Sequence, residues 1–307
     1  MKTDVANRYI WYKGKTVNVN DALINVLSPT SQFGLNVFEG IPCYWNNEEK
    51  QLYAFRLKDH YKRLLKSASL LQIKCTYTQK DMESAFKNVI KCNEYYENLS
   101  VRQTLFVDGF GSWGSDEPTD MFIAPIPRGK TSAEYNKKGL NCCVTSWRRI
   151  SENTLSPRIK CGANYMNSRL GQREALRNGY DTCIFLNDNG KVSEGPGSCL
   201  FIVEEGKLIT PALTDSVLES ITRDTIIKLA AHLGIPVTER TVDRTELYTC
   251  DEAFLCGSAM EITPITSIDK FPVPCNELTE RLHRTYLKAA TGRLTEFKGW
   301  LTRIYGD

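Results

Sequence analysis

Residues 156–165 read Ser156-Pro157-Arg158-Ile159-Lys160-Cys161-Gly162-Ala163-Asn164-Tyr165. Lys160 follows an apolar residue and precedes two small residues, and a helix is predicted soon afterwards, over 167–177. Such a lysine can lie at the end of a strand, where tight packing removes water from its amine. Desolvation favours the neutral amine, which is the form that attacks a carbonyl group. A surface lysine near a loop is the alternative, and the local sequence leaves both interpretations open.

Three further stretches contain residues suited to binding a small charged molecule. In Ser193-Glu194-Gly195, glycine allows backbone and ligand to approach closely, and a buried carboxylate there would suit a heteroaromatic nitrogen that stays protonated. Ser220-Ile221-Thr222 begins a predicted helix, whose N–H groups and dipole favour an anion such as phosphate. Cys256-Gly257-Ser258-Ala259 ends a predicted strand with a small hydroxyl residue. A solvated turn, an ordinary helix cap and a tight turn are the respective alternatives.

The composition of the 307 residues argues against several classes of protein. With 39 basic and 36 acidic residues, the charge is too balanced to indicate nucleic acid or an anionic membrane surface. No CxxC occurs among the 11 cysteines, and His60, His232 and His283 fall at no ligand spacing, so no metal site is predicted. A polar N-terminus and the lack of an apolar stretch of about 18 residues predict neither signal peptide nor membrane span. We therefore expect a cytoplasmic protein whose cysteines are mostly small buried hydrophobes.

The distribution of turn residues and hydrophobic periodicity predicts two domains. Residues 1–126 are predicted to form a small N-terminal domain, 127–136 a linker and 137–307 a larger domain that binds the small molecule. In the first domain, the patterns predict strands at 9–12, 16–19, 35–44, 52–55, 101–107 and 121–125, and helices at 56–71 and 79–96. In the second, they predict strands at 140–146, 182–187, 199–204, 237–242 and 252–256, and helices at 167–177, 221–233 and 276–291.

Taken in order, six motifs resemble those of the class IV, fold-type-IV pyridoxal-phosphate aminotransferases, and most nearly those of the branched-chain amino acid aminotransferases. The motifs are Phe38-Glu39-Gly40-Ile41, Arg56, Lys160-x-x-x-Asn164-Tyr165, Ser193-Glu194-Gly195, Leu218-Glu219-Ser220-Ile221-Thr222-Arg223 and Gly257-Ser258-Ala259-x-Glu261-Ile262-Thr263-Pro264. The resemblance runs from about residue 30 to residue 270. It implies a mixed α/β fold, with a small N-terminal α/β domain and a larger, pseudo-barrel-like C-terminal domain. It also implies a homodimer or higher homo-oligomer.

The resemblance implies a role for each matching residue. Lys160 would form a Schiff base with pyridoxal phosphate and then carry a proton between the substrate α-carbon and the cofactor C4′ carbon. Glu194 would keep the pyridine nitrogen protonated, and Tyr165 would hydrogen-bond the phenolate oxygen. The other implied cofactor-binding residues are Arg56, Ser220, Ile221, Thr222, Gly257 and Ser258. One lysine acting as covalent anchor and general acid/base agrees with the scarcity of histidine.

The implied substrate-binding residues are Phe38, Gly40, Arg102, Arg128, Ser258 and Ala259. Arg102 could hold the distal carboxylate of glutamate or 2-oxoglutarate. The chain departs from common family residues at Pro42 (Arg), Ser100 (Tyr), Arg128 (aromatic), Ser220 (Gly) and Ser258 (Thr). An arginine at position 128 beside a substrate pocket would favour a polar or acidic substrate side chain, whereas one pointing to solvent would not.

We therefore expect transamination between an amino acid, most nearly a branched-chain L-amino acid, and a 2-oxo acid such as 2-oxoglutarate. The alternatives are a same-fold aminotransferase with a polar, acidic, D-amino acid or amine donor, an aminodeoxychorismate-type lyase, or a cofactor-binding protein without turnover. Arg281-Leu282-His283 matches a carboxylate-binding motif of D-amino acid aminotransferases, but it lies in a predicted C-terminal helix and is interpreted as part of that helix. Cys161 is interpreted as a packing residue.

Overall fold

The computed structural model describes residues 7–128 and 138–306, which divide into two compact units. The first unit comprises residues 7–128, 159–163 and 289–306, and the second comprises 138–158 and 164–288. Most of the predicted linker at 127–136 lies outside the described residues, and the predicted domain boundaries stay a prediction. Lys160 lies in a short segment that packs with the first unit.

An antiparallel sheet forms the centre of the first unit. Its strands are β1 (Tyr9–Tyr12), β2 (Lys15–Asn18), β3 (Asn36–Asn46), β4 (Gln51–Phe55), β5 (Leu99–Val107), β6 (Thr119–Pro127) and β15 (Leu301–Arg303). Their order across the sheet is β15-β4-β3-β5-β6-β1-β2. The predicted turn between β1 and β2 has positive φ angles at Lys13 (49°) and Gly14 (86°), as a tight hairpin requires.

The two faces of β3 have different surroundings because successive side chains of a strand alternate between faces. Phe38 and Gly40 lie on one face, and Gly40 pairs with Arg102 of β5. Val37 and Glu39 lie on the opposite face, where Val37 belongs to the hydrophobic core of the first unit. A one-residue change of register would exchange the two sets, so this register fixes which residues can line a site.

Helices of the first unit pack on the Val37 face of the sheet. They are α2 (Leu57–Leu70) and α3 (Gln79–Cys92), whereas the short helix α1 (Pro29–Phe33) precedes β3. Leu64 of α2 and Phe86 of α3 are fully buried in the core, and each such side chain contributes about 1.5–3 kcal/mol to stability. A capping box formed by Thr78 and Asp81 satisfies the first N–H groups of α3.

A mixed sheet forms the centre of the second unit. Its strands are β7 (Leu140–Arg148), β8 (Thr182–Leu186), β9 (Cys199–Glu204), β10 (Lys207–Thr210), β11 (Val237–Glu239), β12 (Glu252–Gly257), β13 (Glu261–Ile268) and β14 (Phe271–Pro272). The order is β11-β10-β9-β12-β13-β7-β8, with β14 paired to β13. The pairs β10–β11, β13–β7 and β7–β8 are parallel. The helices are α4 (Asn164–Arg177), α5 (Ile221–His232) and α6 (Glu277–Ala290).

The structure differs from the sequence predictions mainly where periodicity is weak. Strand β13 was not predicted because its first five residues are all buried, so it lacks alternation, and Pro264 lies within it. The short elements α1 and β15 were also missed, and α4 begins three residues before its predicted start. In the parts of the chain that the structure describes, no helix is long and apolar enough to cross a membrane.

Candidate active site

Backbone hydrogen bonds hold Lys160 between β3 and α2 in the first unit. Its N–H donates to Ser67 Oγ (3.0 Å), and its carbonyl oxygen accepts from the Phe38 N–H (3.0 Å). Next to it, Cys161 forms an antiparallel bridge with Val37 and is 1% exposed, in agreement with its interpretation as a packing residue. The backbone of Lys160 is thus fixed on both sides, which restricts where its amine can reach.

The ring of Phe38 brings three predicted site residues together. Lys160 Nζ lies 5.1 Å from the centre of this ring, and the guanidinium carbon of Arg102 lies 4.1 Å from it. Both are within the range of cation–π attraction, which helps to orient the two side chains. A Cβ atom added at Gly40 would meet no atom within 4 Å, so the face beside Arg102 has room for a substrate group.

Arg128 lies further along the same face of β3. Its Nη1 donates to the Tyr44 hydroxyl (3.2 Å), and its guanidinium carbon is 5.5 Å from the Tyr44 ring centre. Tyr44 follows Phe38 and Gly40 by an even number of residues, so the three share one face. Pro42 lies between them on this face and pairs with Ser100. The structure therefore places Arg128 on the same face of β3 as Phe38 and Gly40, half-buried and stacked on a tyrosine.

Arg56 is a buried cation at the junction between β4 and α2. It adopts a left-handed conformation (φ 54°), which costs a non-glycine residue about 1–3 kcal/mol. Its Nε donates to Asp59 (2.7 Å), its backbone N–H donates to the Trp300 carbonyl (2.7 Å), and its guanidinium carbon lies 5.2 Å from the Trp300 ring. Trp300 was missed by sequence reasoning because it lies more than 200 residues away in the chain.

In the second unit, Glu194 is a buried carboxylate held by several donors. Arg149 pairs with its Oε1 (2.8 Å), and the Leu218 N–H donates to its Oε2 (3.3 Å). The Cys199 thiol contacts the same Oε2 at 3.6 Å, and Glu194 is only 3% exposed. The alternative of a solvated turn is therefore wrong. The sequence alone does not identify Arg149 as the partner of Glu194, because no motif distinguishes it from the neighbouring Arg148.

Close packing at two glycines brings residues 194–198, here called the Glu194 turn, against the end of β12. A Cβ atom on Gly195 would lie 2.6 Å from Ser198 Oγ, and one on Gly257 would lie 3.2 Å from the Gly197 carbonyl oxygen. The ring of Tyr165, near the start of α4, lies 3.8 Å from the position of a Gly197 Cβ. The structure thus gathers Tyr165, Glu194 and Gly257, and it places Ser258 and Ala259 immediately after β12.

The first turn of α5 adjoins the Glu194 turn through the Leu218 N–H described above. Ser220 is the N-cap residue, with an extended backbone (φ −75°), and its hydroxyl accepts from the Arg223 N–H (3.2 Å). A serine suits this position, so the departure from glycine leaves the helix start intact. Ile221 and Thr222 begin the helix and are buried. Arg223 instead points to Glu239 (2.7 Å) and the Pro211 carbonyl (3.0 Å), and it supports the fold.

Comparison with known proteins agrees with this arrangement. The model of the amino-transferase class IV family matches residues 36–268. The chain belongs to the class IV aminotransferases. Among curated relatives of this family, the branched-chain-amino-acid aminotransferase of Escherichia coli (strain K12) is 38% identical over 304 residues, which cover 96% of this chain and 97% of the relative.

Solved structures of class IV aminotransferases have the same fold. The branched-chain amino acid aminotransferase from Thermobaculum terrenum, in its PLP form, has a TM-score of 0.93 and 40% identity, and covers 99% of this chain and 100% of its own. The branched-chain aminotransferase from the archaeon Thermoproteus uzoniensis, solved with norvaline, has a TM-score of 0.92 and 39% identity, and covers 97% of this chain and 99% of its own. The predicted family, fold class and aminotransferase activity are confirmed.

The structure also shows where possible metal ligands and the Arg281-Leu282-His283 motif lie. Within residues 7–128 and 138–306, no group of three or more His, Cys, Asp or Glu side chains could hold a metal ion. Arg281 and His283 lie in α6, as predicted. His283 Nε2 is 3.2 Å from Glu261 Oε2, which gives this residue a local structural partner.

Proposed function

We propose that this chain transfers the amino group of a branched-chain L-amino acid to a 2-oxo acid such as 2-oxoglutarate, with pyridoxal phosphate as cofactor. The observation that carries the proposal is the fixed Lys160 backbone, with the amine beside Phe38 and Arg102. The predicted cofactor and reaction are confirmed by the family and by relatives named as branched-chain aminotransferases, one of them solved in its PLP form.

The donor set fits pyridoxal phosphate by its chemistry. Glu194 is a buried carboxylate and an acceptor for a protonated ring nitrogen, and Tyr165 can donate to the phenolate oxygen. The phosphate would be held by the Arg56 guanidinium, the first turn of α5 and the Ser258 hydroxyl, because a planar cation and a helix N-terminus both favour this anion. The bound cofactor supplies an electron sink for the bond broken at the substrate α-carbon.

Each residue of the first unit would then act at a stated atom. Lys160 Nζ would attach the cofactor and, once displaced by the substrate amine, hold and move the proton of the α-carbon. Arg102 would bind the distal carboxylate of the 2-oxo acid or glutamate. Phe38 and the open space at Gly40 would receive the apolar substrate side chain.

We also propose that the protein is a cytoplasmic homodimer. Eight of the eleven cysteines are buried, as expected for thiols that serve as small apolar residues in a reducing compartment. The homodimer is the assembly that the family resemblance implies. Light scattering of the purified protein at several concentrations would test it, and a mass that stays at 34.8 kDa throughout would contradict it.

A donor and acceptor panel tests the reaction with the purified holoenzyme. We expect L-leucine and 2-oxoglutarate to give glutamate over many turnovers, at a rate well above that with D-alanine as donor. Leaving out 2-oxoglutarate should stop the reaction after one cofactor equivalent. Continued product release without any 2-oxo acid would indicate a lyase, and a failure to regenerate the cofactor with 2-oxoglutarate would indicate a protein without turnover.

A further inference from the structure

The C-terminal segment of the chain meets Arg56 within the first unit. Strand β15 pairs antiparallel with β4, and this register places Leu301 opposite Phe55. Trp300 directly precedes β15, Arg56 directly follows β4, and the Arg56 N–H donates to the Trp300 carbonyl oxygen (2.7 Å). This hydrogen bond continues the pairing of the two strands by one residue. The register of β15 on β4 therefore brings Arg56 and Trp300 together from distant parts of the chain.

The side chains of these two residues are also in contact. The guanidinium carbon of Arg56 lies 5.2 Å from the centre of the Trp300 ring, within the range of cation–π attraction, for which tryptophan is the best aromatic partner. Arg56 is 6% exposed and Trp300 is half-buried, so little water competes for this contact. Asp59 Oδ2 accepts from Arg56 Nε (2.7 Å). An aromatic ring and a carboxylate therefore both restrict the orientation of one buried guanidinium.

Two phenylalanines hold the Trp300 ring in place. Phe297, which lies with Trp300 in the 3₁₀ helix Thr295–Trp300, stacks on the ring with centres 4.3 Å apart and planes 30° apart. Phe55 of β4 meets the same ring edge-on, at 5.9 Å and 81°. Stacked and edge-on arrangements are the two that aromatic pairs favour. The Trp300 ring is therefore a fixed surface for the Arg56 guanidinium.

The backbone of Arg56 also needs support from its surroundings. Arg56 is the N-cap residue of α2, and its left-handed conformation (φ 54°) is one that side chains other than glycine rarely adopt. Such conformations persist where neighbouring contacts compensate for their cost, and they are frequent at binding sites. The hydrogen bond to the Trp300 carbonyl is a contact of this kind, so Trp300 supports both the backbone and the side chain of Arg56.

We propose that Trp300 is a positioning residue for Arg56, and that the C-terminal segment thereby sets how strongly the protein binds the phosphate group of its cofactor. This inference rests on the proposed function, in which Arg56 binds that phosphate. An arginine binds phosphate best when its planar fork is aligned with the oxygen atoms. A guanidinium that is ordered beforehand loses less conformational entropy when the phosphate binds. Trp300 does not need to touch the cofactor for this role.

The ratio of the dissociation constants of pyridoxal and pyridoxal 5′-phosphate measures what the phosphate group alone contributes to binding. Absorbance titration of apoenzyme prepared from the purified holoenzyme gives both constants. We expect the ratio to fall about fivefold in Trp300→Leu, because ordering one long side chain on binding costs about this factor, and about twofold in Trp300→Phe, which keeps a weaker aromatic partner. A wild-type ratio in Trp300→Leu would overturn the proposal. Should that variant fail to fold, a wild-type ratio in Trp300→Phe would overturn it.

Trp45→Leu is the matched control for a general loss of stability in the first unit. Trp45 is a half-buried tryptophan of the same sheet, and its ring contacts Tyr96 (5.7 Å) and Tyr305 (6.3 Å). A general loss of stability weakens binding of both cofactor forms, so we expect the ratio in Trp45→Leu to stay at the wild-type value. Equal falls in Trp45→Leu and Trp300→Leu would contradict the proposal.

Arg56→Gln tests the proposed function separately. It should lower the ratio more than either Trp300 variant does, because it removes the cation itself. A wild-type ratio in Arg56→Gln would mean that Arg56 does not bind the phosphate, which would refute the proposed function of Arg56. A lowered ratio in Arg56→Gln together with a wild-type ratio in Trp300→Leu would refute only the positioning role of Trp300.

Discussion

Gly40 provides space on the face of β3 that also presents Phe38. A Cβ atom there would meet nothing within 4 Å, and the backbone is not left-handed. We expect Gly40→Ala to unfold at the wild-type temperature and to lower kcat/KM for leucine about tenfold, because the methyl group would occupy substrate space. Steady-state kinetics and a thermal melt check this. An unchanged kcat/KM would show that the substrate does not use this space.

Arg128 stacks on Tyr44 of the same face, so its positive charge lies on the proposed substrate side. We expect Arg128→Ala to lower kcat/KM for an acidic amino donor more than for leucine, because only the acidic side chain gains from a nearby cation. Competition assays with both donors measure the ratio directly. If the ratio stays the same, Arg128 serves only to pack on Tyr44.

Single residues could be recognised from the sequence where a motif marks them. Lys160 and Glu194 belong to motifs whose order is specific, and the structure gives each a buried or fixed setting. Their partners could not be recognised in this way, since Arg149 pairs with Glu194 across 45 residues and Arg63 pairs with Glu39 across 24. A buried charge requires a partner, but only the tertiary fold selects which of many arginines provides it.

At the scale of elements, the contact between the end of β12 and the Glu194 turn depends on a glycine. A Cβ atom on Gly257 would lie 3.2 Å from the Gly197 carbonyl oxygen. We expect Gly257→Ala to lower the unfolding free energy by about 1–3 kcal/mol and to weaken pyridoxal-phosphate binding, because the turn must shift. Denaturant unfolding and cofactor titration check both effects.

Gly299→Ala provides the matched control for that substitution. Gly299 has no positive φ, and a Cβ atom there would meet nothing within 4 Å. This variant should keep wild-type stability and cofactor affinity. Equal effects of the two substitutions would mean that the close approach at Gly257 is not the cause.

Elements that bury only one face were predicted from the sequence, whereas an element that buries both faces was not. Helices α2 and α3 bury one face each, so hydrophobic residues recur at the helical period and indicate both. Strand β13 lies between two strands and buries both faces at its start, which removes the alternation that marks a strand. Its position in the interior of the second sheet, between β12 and β7, therefore became visible only in the structure.

For the whole molecule, the buried ion pair of Glu39 and Arg63, in which Arg63 Nε donates to Glu39 Oε1 (2.8 Å) and Nη2 to Oε2 (2.7 Å), predicts a specific loss of stability in acid. The pKa of Glu39 is lowered from 4.5 to about 2 in the folded state, so its contribution is complete above pH 4.5 and disappears as the pH falls towards 2. We expect the wild type to lose about 2 kcal/mol more unfolding free energy between pH 5 and pH 3 than Glu39→Gln/Arg63→Gln. Urea unfolding at both pH values measures this, and equal losses would contradict it.

The composition of the two units is a property that the linear sequence does not reveal. Residues 159–163 and 289–306 join the first unit although they follow residue 137 in the chain. The first segment is held by the Lys160 N–H, which donates to Ser67 Oγ, and by the Lys160 carbonyl oxygen, which accepts from the Phe38 N–H. The pairing of β15 with β4 holds the second segment. Both depend on contacts between residues far apart in sequence.

We propose that Lys160 binds the cofactor and carries out the proton transfers. Borohydride reduction of the holoenzyme, followed by mass analysis of its peptides, tests it most directly. We expect phosphopyridoxyl mass on the peptide containing Lys160 and none in Lys160→Ala. Replacing Lys62, an exposed lysine of α2, in the control Lys62→Arg should leave the result unchanged. Phosphopyridoxyl mass on any other lysine of the wild-type protein would contradict it.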